Sequence, residues 1–528
     1  MKPKYAVAIL MGALVLSGAT TDPAGARWWG YVRELASDKY QGRATASAGY
    51  RQAAGYVAAE FKKLGLTPAE RAGYMQAVPL HVRRINESAS SLSLVRVGLQ
   101  EVLQLGQDCF FTLNTDFSPE VTAPAVFVGY GLTVPELGYD DLAGVDLEGR
   151  IAVLLTGGPS TIPGPLRAHY QTRRERLGFL QRAGAAGVVS ILNPGAMDSP
   201  WERYAALRLE PFMTLAAPGM EDGAGLQLAA TVNPAQAERW FAGSSHTAAE
   251  IFEMAQAGQP LPRFPLAWTV HAIISADRSE AECENVAGIL RGTDPKLRDQ
   301  FVVVSAHLDH LGVAAPVKGD SIYNGAIDDA SGVASLFEIA RALKAAPPRR
   351  SVLFLAVTGE EKGLLGSRYF ASHPSVNASS MVADINLDMY LPIHSLRSLT
   401  VYGLSESSLG KDIQAVAKSY GVAVQADLEP ERNIFIRSDQ YSFIREGVPS
   451  LSFKFGYANG SPEERRQREW LQQRYHAPSD DVSQPVNLAG AARFNRLMAA
   501  LARRVANAPA RPTWNQNSFF RRFSRGTS

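Results

Sequence analysis

Five separated stretches in the second half of the chain offer histidine or carboxylate groups, most of them just beyond a short apolar run. His307-Leu308-Asp309-His310 follows Phe301 to Ala306. Gly325-Ala326-Ile327-Asp328-Asp329-Ala330-Ser331-Gly332 leads into a helical stretch. Thr358-Gly359-Glu360-Glu361 follows Ser351 to Val357, and Asp388 follows Met381 to Leu387. Tyr475-His476-Ala477-Pro478-Ser479-Asp480 comes last. Singly, each is weak: a histidine after a strand is usually a surface or core residue, and Asp-Asp before Ala-Ser-Gly is more often a helix cap than a ligand. Together they deliver ligands to the carboxyl ends of successive strands, where open α/β sheets bind. The set suits hydrolysis with two zinc ions. Zn²⁺ takes imidazole nitrogen and carboxylate oxygen and keeps positions open for water and substrate. Two ions about 3.5–4 Å apart need a shared ligand, and a carboxylate has two oxygens to share.

The elements that must position these groups read as two alternations of strand and helix. Val286 to Leu290, Phe301 to Ala306, Ser351 to Val357, Met381 to Leu387 and Ser450 to Phe455 are apolar runs, with helical stretches such as Gly332 to Lys344 between several of them. That pattern predicts an α/β fold with a largely parallel sheet flanked by helices. Upstream, Ala53, Ala54, Val57, Ala58, Phe61 and Leu64 recur at helical steps and Gly65 stops them. Ala125 to Leu132, Ile151 to Leu155, Arg173 to Ala183 and Gly187 to Leu192 mark a smaller inserted α/β unit. The expected organisation is a signal peptide at 1–26, a first part of the main domain at 27–117, the insertion at 118–272, the catalytic domain at 273–506 and a mobile tail at 507–528.

Composition narrows the function. Apolar residues at 46% and charged residues at 20% exclude a mainly disordered chain. A net charge of +2 provides no global field toward nucleic acid or an anionic membrane. Two cysteines exclude a Cys-rich zinc module. Lys2 and Lys4, the apolar run Tyr5 to Leu16 and the small residues ending at Ala19 and Ala26 read as a secretory signal peptide, too short to span a bilayer. Export to the periplasm or outside is expected, with cleavage after Ala19 or Ala26.

In combination, His307-Leu308-Asp309, Gly325 to Gly332, Gly359-Glu360-Glu361, Asn386-Leu387-Asp388 and Tyr475-His476-Ala477-Pro478 resemble the motifs of the M28 metallopeptidases, co-catalytic zinc aminopeptidases and their relatives. The likeness covers roughly Gln41 to Ala506, with the motifs in family order. It implies that His307 and Asp388 hold one zinc, that Glu361 and His476 hold the other, and that Asp328 bridges them, with a cis Asp328–Asp329 peptide. It implies Glu360 as general base and Tyr475 as a group beside the oxyanion. The stretch 120–270 resembles a protease-associated domain through Gly129-Tyr130-Gly131-Leu132, Tyr139 to Asp146 and Gly184 to Val189. The function implied is an exported dinuclear zinc aminopeptidase acting on peptides. The alternatives are an M28-like carboxypeptidase or dipeptidase, a glutaminyl cyclase, a receptor-like binding protein and a two-metal phosphatase or nuclease. The full ligand set argues against the cyclase and the receptor. The Glu360-Glu361 pair and the near-neutral charge argue against the phosphatase, and Arg432 and Arg437 are cations available to a carboxypeptidase. Two positions depart from the family pattern: Gln440 stands where many relatives have His, and Ile327 where many aminopeptidases have Asp.

Around the ligands, a metal-bound histidine usually donates its second N–H to a carboxylate or carbonyl. Asp309 is the candidate for His307, and Asp480 for His476. Asp439 lies near the site, His310 reads as a bystander, and His81, His169, His246, His271, His373 and His394 read as structural or solvated. Cys109 and Cys283 bracket the insertion and, in an exported chain, are expected to pair across its neck.

Overall fold

The computed structural model describes residues 22–524 apart from 198, 221 and 224, so most of the expected leader, residues 1–21, lies outside the described residues. Residues 22–26 open the first helix, Pro23–Leu35. The Asp22 side chain accepts from Ala24 N at 3.0 Å and pairs with Arg496 at 2.8 Å.

The main sheet has ten strands, and its centre is parallel. Phe301–His307 pairs in parallel with Ser351–Val357 on one side and with Met381–Asn386 on the other, and Ser450–Phe455 continues beyond. The long antiparallel ribbon of Met75–Ile85 and Ala276–Leu290 closes the other flank. All seven residues of Phe301–His307 are buried, as a parallel strand covered on both faces must be. Side chains alternate between the faces. Val302, Val304 and Ala306 pack with Trp28, Phe61, Phe337 and Phe494 of one helical layer, while Phe301 and Val303 meet Phe370 and Phe443 of the other. This is the mixed α/β architecture the alternation predicts. No helix among the described residues is long and apolar enough to cross a membrane.

A second sheet of eight strands has its own core, and its limits differ from 118–272. Ser91–Arg96, Leu99–Leu103 and Cys109–Phe111 belong to it, whereas Phe212–Leu215 leaves it to pair with Met75–Ile85 of the main sheet. An alternating strand reads the same in either sheet, and its partner is distant in sequence.

Two further expectations are overturned. Cys109 and Cys283 are free, buried thiols. Cys109 lies opposite Val232 in the second sheet; Cys283 lies opposite Val78 in the main sheet, with its sulfur 3.2 Å from Ala46 N and 2.9 Å from Thr358 Oγ1. Each fills its own core as a small apolar group. The C-terminal segment is not loose up to residue 524: Trp514 and Phe520 are buried with Ile436, Tyr441 and Ile444 of the main domain and Ala168 of the insertion. Its widely spaced aromatics carry no helical period but fill a groove that only the assembled domains create.

Candidate active site

The strand ends bring the groups together. The Asp328 carboxylate stands at the centre with one oxygen toward each of two histidine–carboxylate pairs. Its Oδ1 is 3.1 Å from His307 Nε2, which is 3.6 Å from Asp388 Oδ1. Its Oδ2 is 3.4 Å from His476 Nε2, which is 3.1 Å from Glu361 Oε2. Donors on a tetrahedral zinc with bonds of about 2.0–2.2 Å sit about 3.3–3.6 Å apart, and these four separations of 3.1–3.6 Å lie at or just under that spacing. Asp328 Oδ2 and Asp388 Oδ1 are buried without hydrogen-bond partners. Buried acceptors are normally satisfied, and orphaned carboxylate oxygens beside the histidines fit cations. Glu360 shares a cavity with Asp328, Asp388, Tyr475 and His476. The Tyr475 ring stacks on that of His476 with centroids 3.8 Å apart.

The two adjacent glutamates titrate in opposite directions. Burial, with Asp388 and Glu361 close by, pushes Glu360 well above the usual carboxylate range. Burial also works on Glu361, but His476 and His310 carry it below that range.

Local sequence explains the placement. Gly325 takes a left-handed φ of 59°, and a Cβ there would lie 2.5 Å from the His310 ring, so only glycine lets this turn pass. The Asp328–Asp329 peptide is cis. Asp329 acts as the cap its position suggests: its Oδ1 accepts from Gly332 N at 2.9 Å and Met389 N at 3.3 Å, tying the helix start to the Asp388 loop.

The supporting groups differ from the sequence expectations. His307 Nδ1 meets the Asp309 backbone carbonyl at 3.1 Å, with the carboxylate farther, at 3.9 Å. The Asp309 carboxylate instead accepts from Thr45 Oγ1 and from Glu360 N, at 2.9 and 3.1 Å. Asp480 accepts from Ile327 N and Asp328 N, each at 3.0 Å, so it holds the bridging loop rather than His476. His310 is no remote bystander: fully buried, its Nδ1 lies 2.8 Å from Glu361 Oε1. Asp439 is buried with both oxygens unpartnered. Gln440 Oε1 accepts from Asn386 Nδ2 at 2.7 Å, two residues before Asp388.

Two arginines hold the site in roles that the sequence did not assign. Arg43, fully buried, donates to the carbonyls of Leu35, Leu308, Asn324 and Gly325 at 2.6–2.9 Å, stapling two of the ligand loops together. Arg203 of the insertion donates to the Gln472 and Tyr475 carbonyls, both at 2.7 Å, on the segment carrying His476. Only their carbonyl partners reveal them, and those come from distant parts of the chain.

With this geometry, comparison with known proteins is decisive for the second half of the chain. Residues 285–502 match Peptidase family M28. A probable zinc metalloprotease of Pyrenophora tritici-repentis (strain Pt-1C-BFP) is 26% identical over 258 residues, 43% of this chain and 58% of that protein. Aminopeptidase YwaD of Bacillus subtilis (strain 168) is 28% identical over 204 residues, 38% of this chain and 40% of YwaD. These matches thus span between two fifths and three fifths of the relatives' own length. The solved aminopeptidase from Aneurinibacillus sp. strain AM-1 shares the fold, with a TM-score of 0.55 at 20% identity over 93% of this chain and 95% of that one. The matched region begins in the antiparallel ribbon at Asn285 and contains His307, Asp328, Glu360, Glu361, Asp388 and His476.

Proposed function

We propose that this chain is an exported zinc aminopeptidase with two metal positions, His307, Asp328 and Asp388 forming one and Glu361, His476 and Asp328 the other. The observation that carries the reading is the Asp328 carboxylate, with one oxygen toward each histidine–carboxylate pair. Zinc bound in these positions supplies Lewis acidity for the attacking water and the scissile carbonyl. Glu360 takes a proton from that water and returns it to the leaving amine. The Tyr475 hydroxyl, beside His476, donates to the oxygen that gains charge. Arg43, Asp480 and Asp329 hold the ligand loops in register. The insertion, read as a protease-associated domain, walls the cleft.

Hydrolysis of aminoacyl p-nitroanilides, abolished by chelator and restored by zinc, tests the reading, together with failure to cut N-acetylated peptides. Equal rates on free and acetylated peptides would refute end specificity for the amine. The cations near the site favour one second reading, a carboxypeptidase, and loss of cleavage on C-terminal amidation alone would support it.

A further inference from the structure

The ligand cluster stands between two cavities. The smaller, ≈ 90 Å³, lies beyond Asp388 and has Tyr402, Ile434, Leu471, Ser452 and Lys454 in its walls. The larger, ≈ 390 Å³, opens between the insertion at Leu207, Glu210 and Phe212 and the main domain at Lys362 and Leu364. Glu360, Tyr475 and His476 line both. A bond cut at this junction leaves one terminal residue in the smaller cavity and the rest of the peptide in the larger.

Lys454 sets the character of the smaller cavity. In Ser450–Phe455 the alternating Leu451, Phe453 and Phe455 are fully buried in the core, which turns Ser452 and Lys454 to the opposite face. Among the described residues no carboxylate lies within the 4.0 Å of an ion pair with the Lys454 ammonium. The charged groups around it are Arg432 and Arg437, which repel it, and Asp388 and Asp328, which belong to the metal cluster. Lys454 also lines the adjoining cavity, where Asp427 acts on its charge and Glu429 is paired with Arg432 and Arg468, each at 3.2 Å. A half-buried ammonium with no ion-pair partner of its own is costly unless an anion meets it. The larger cavity carries both signs of charge: Arg173, Arg208, Lys362 and Arg437 line it with Glu210, Glu360 and Glu361. The chain as a whole carries only +2.

We propose that Lys454 selects peptides whose first residue carries a side-chain carboxylate, Asp or Glu, with Tyr402 and Leu471 flanking its methylenes. This rests on the aminopeptidase reading. The test uses the zinc-loaded full chain and p-nitroanilides of Glu, Gln, Asp, Asn and Leu. Glu should exceed its neutral isostere Gln in kcat/KM by about tenfold or more, the range of a hydrogen bond to a charged group. Lys454→Met should bring the Glu-to-Gln ratio close to one, and Lys454→Arg should keep part of it. Because the wild-type ratio needs no variant, a misfolded Lys454→Met leaves the test intact. Equal rates on Glu and Gln, or faster cleavage of Leu than Glu, would overturn the acidic preference while leaving the aminopeptidase standing. No hydrolysis of any aminoacyl substrate would overturn both. Cleavage of N-acetylated peptides ending in a free carboxylate, lost on amidation, would show that Lys454 meets the chain terminus instead.

Discussion

Acidification should loosen the junction of the insertion, the main domain and the C-terminal segment, and His169 makes the effect measurable. It lies on the helix Gly164–Gln171 and is 4% exposed. Its Nδ1 is 2.5 Å from the Tyr441 hydroxyl, and its ring meets those of Phe519 and Phe523 at 5.3 and 5.7 Å. Burial holds the imidazole down, to about 4; Arg445 and Arg522 act in the same sense, and Glu175 and Glu136 oppose them. The unfolded chain titrates near 6.5. The folded state therefore binds fewer protons between these values. Its stability contribution is complete above pH 6.5 and is lost as pH falls toward 4. Integrating over that interval, about 2 kcal/mol is lost by pH 5 and about 3 kcal/mol below pH 4. Urea unfolding of the wild type and His169→Gln at pH 7 and pH 5 measures it. Other titrating groups are common to both proteins and cancel in the difference. The wild type should lose about 2 kcal/mol more than the variant. Equal losses would refute a neutral, buried His169 as a determinant of acid stability.

Glu360→Gln keeps the side chain's shape but cannot accept a proton, so turnover should fall roughly 10²–10⁴-fold with metal content retained; near-normal rates in metal-replete enzyme would exclude the base role. Asp328→Ala removes the oxygen facing each triad, and elemental analysis should find both metal positions depleted; two retained zincs would contradict a bridge. The mature chain should begin at Thr20, because cleavage after Ala26 would remove the Asp22 cap and its pair with Arg496; N-terminal sequencing that begins at Arg27 would rule this out.

What the sequence determined by itself was local chemistry and local periodicity. The apolar runs ending in His307, Glu360 and Asp388 were legible because a parallel strand buried on both faces is apolar throughout and its ligand group marks the point where it leaves the core. The helix cap at Asp329 was legible because capping acts over three residues. Tertiary structure decided whatever depends on which distant segments meet. Ser91–Arg96 lies outside the expected 118–272 and Phe212–Leu215 inside it, yet the first joined the second sheet and the latter the main sheet, because strand pairing is nonlocal. Cys109 and Cys283 went to separate cores instead of to each other. The Asp309 and Asp480 carboxylates found backbone N–H groups, since in the folded loops those donors lay nearer than the histidines. Arg43 gained its place only when four carbonyls converged on it. Lys454 lines the smaller cavity because the strand's hydrophobic alternation, fixed by the core on one side, turned it to the other.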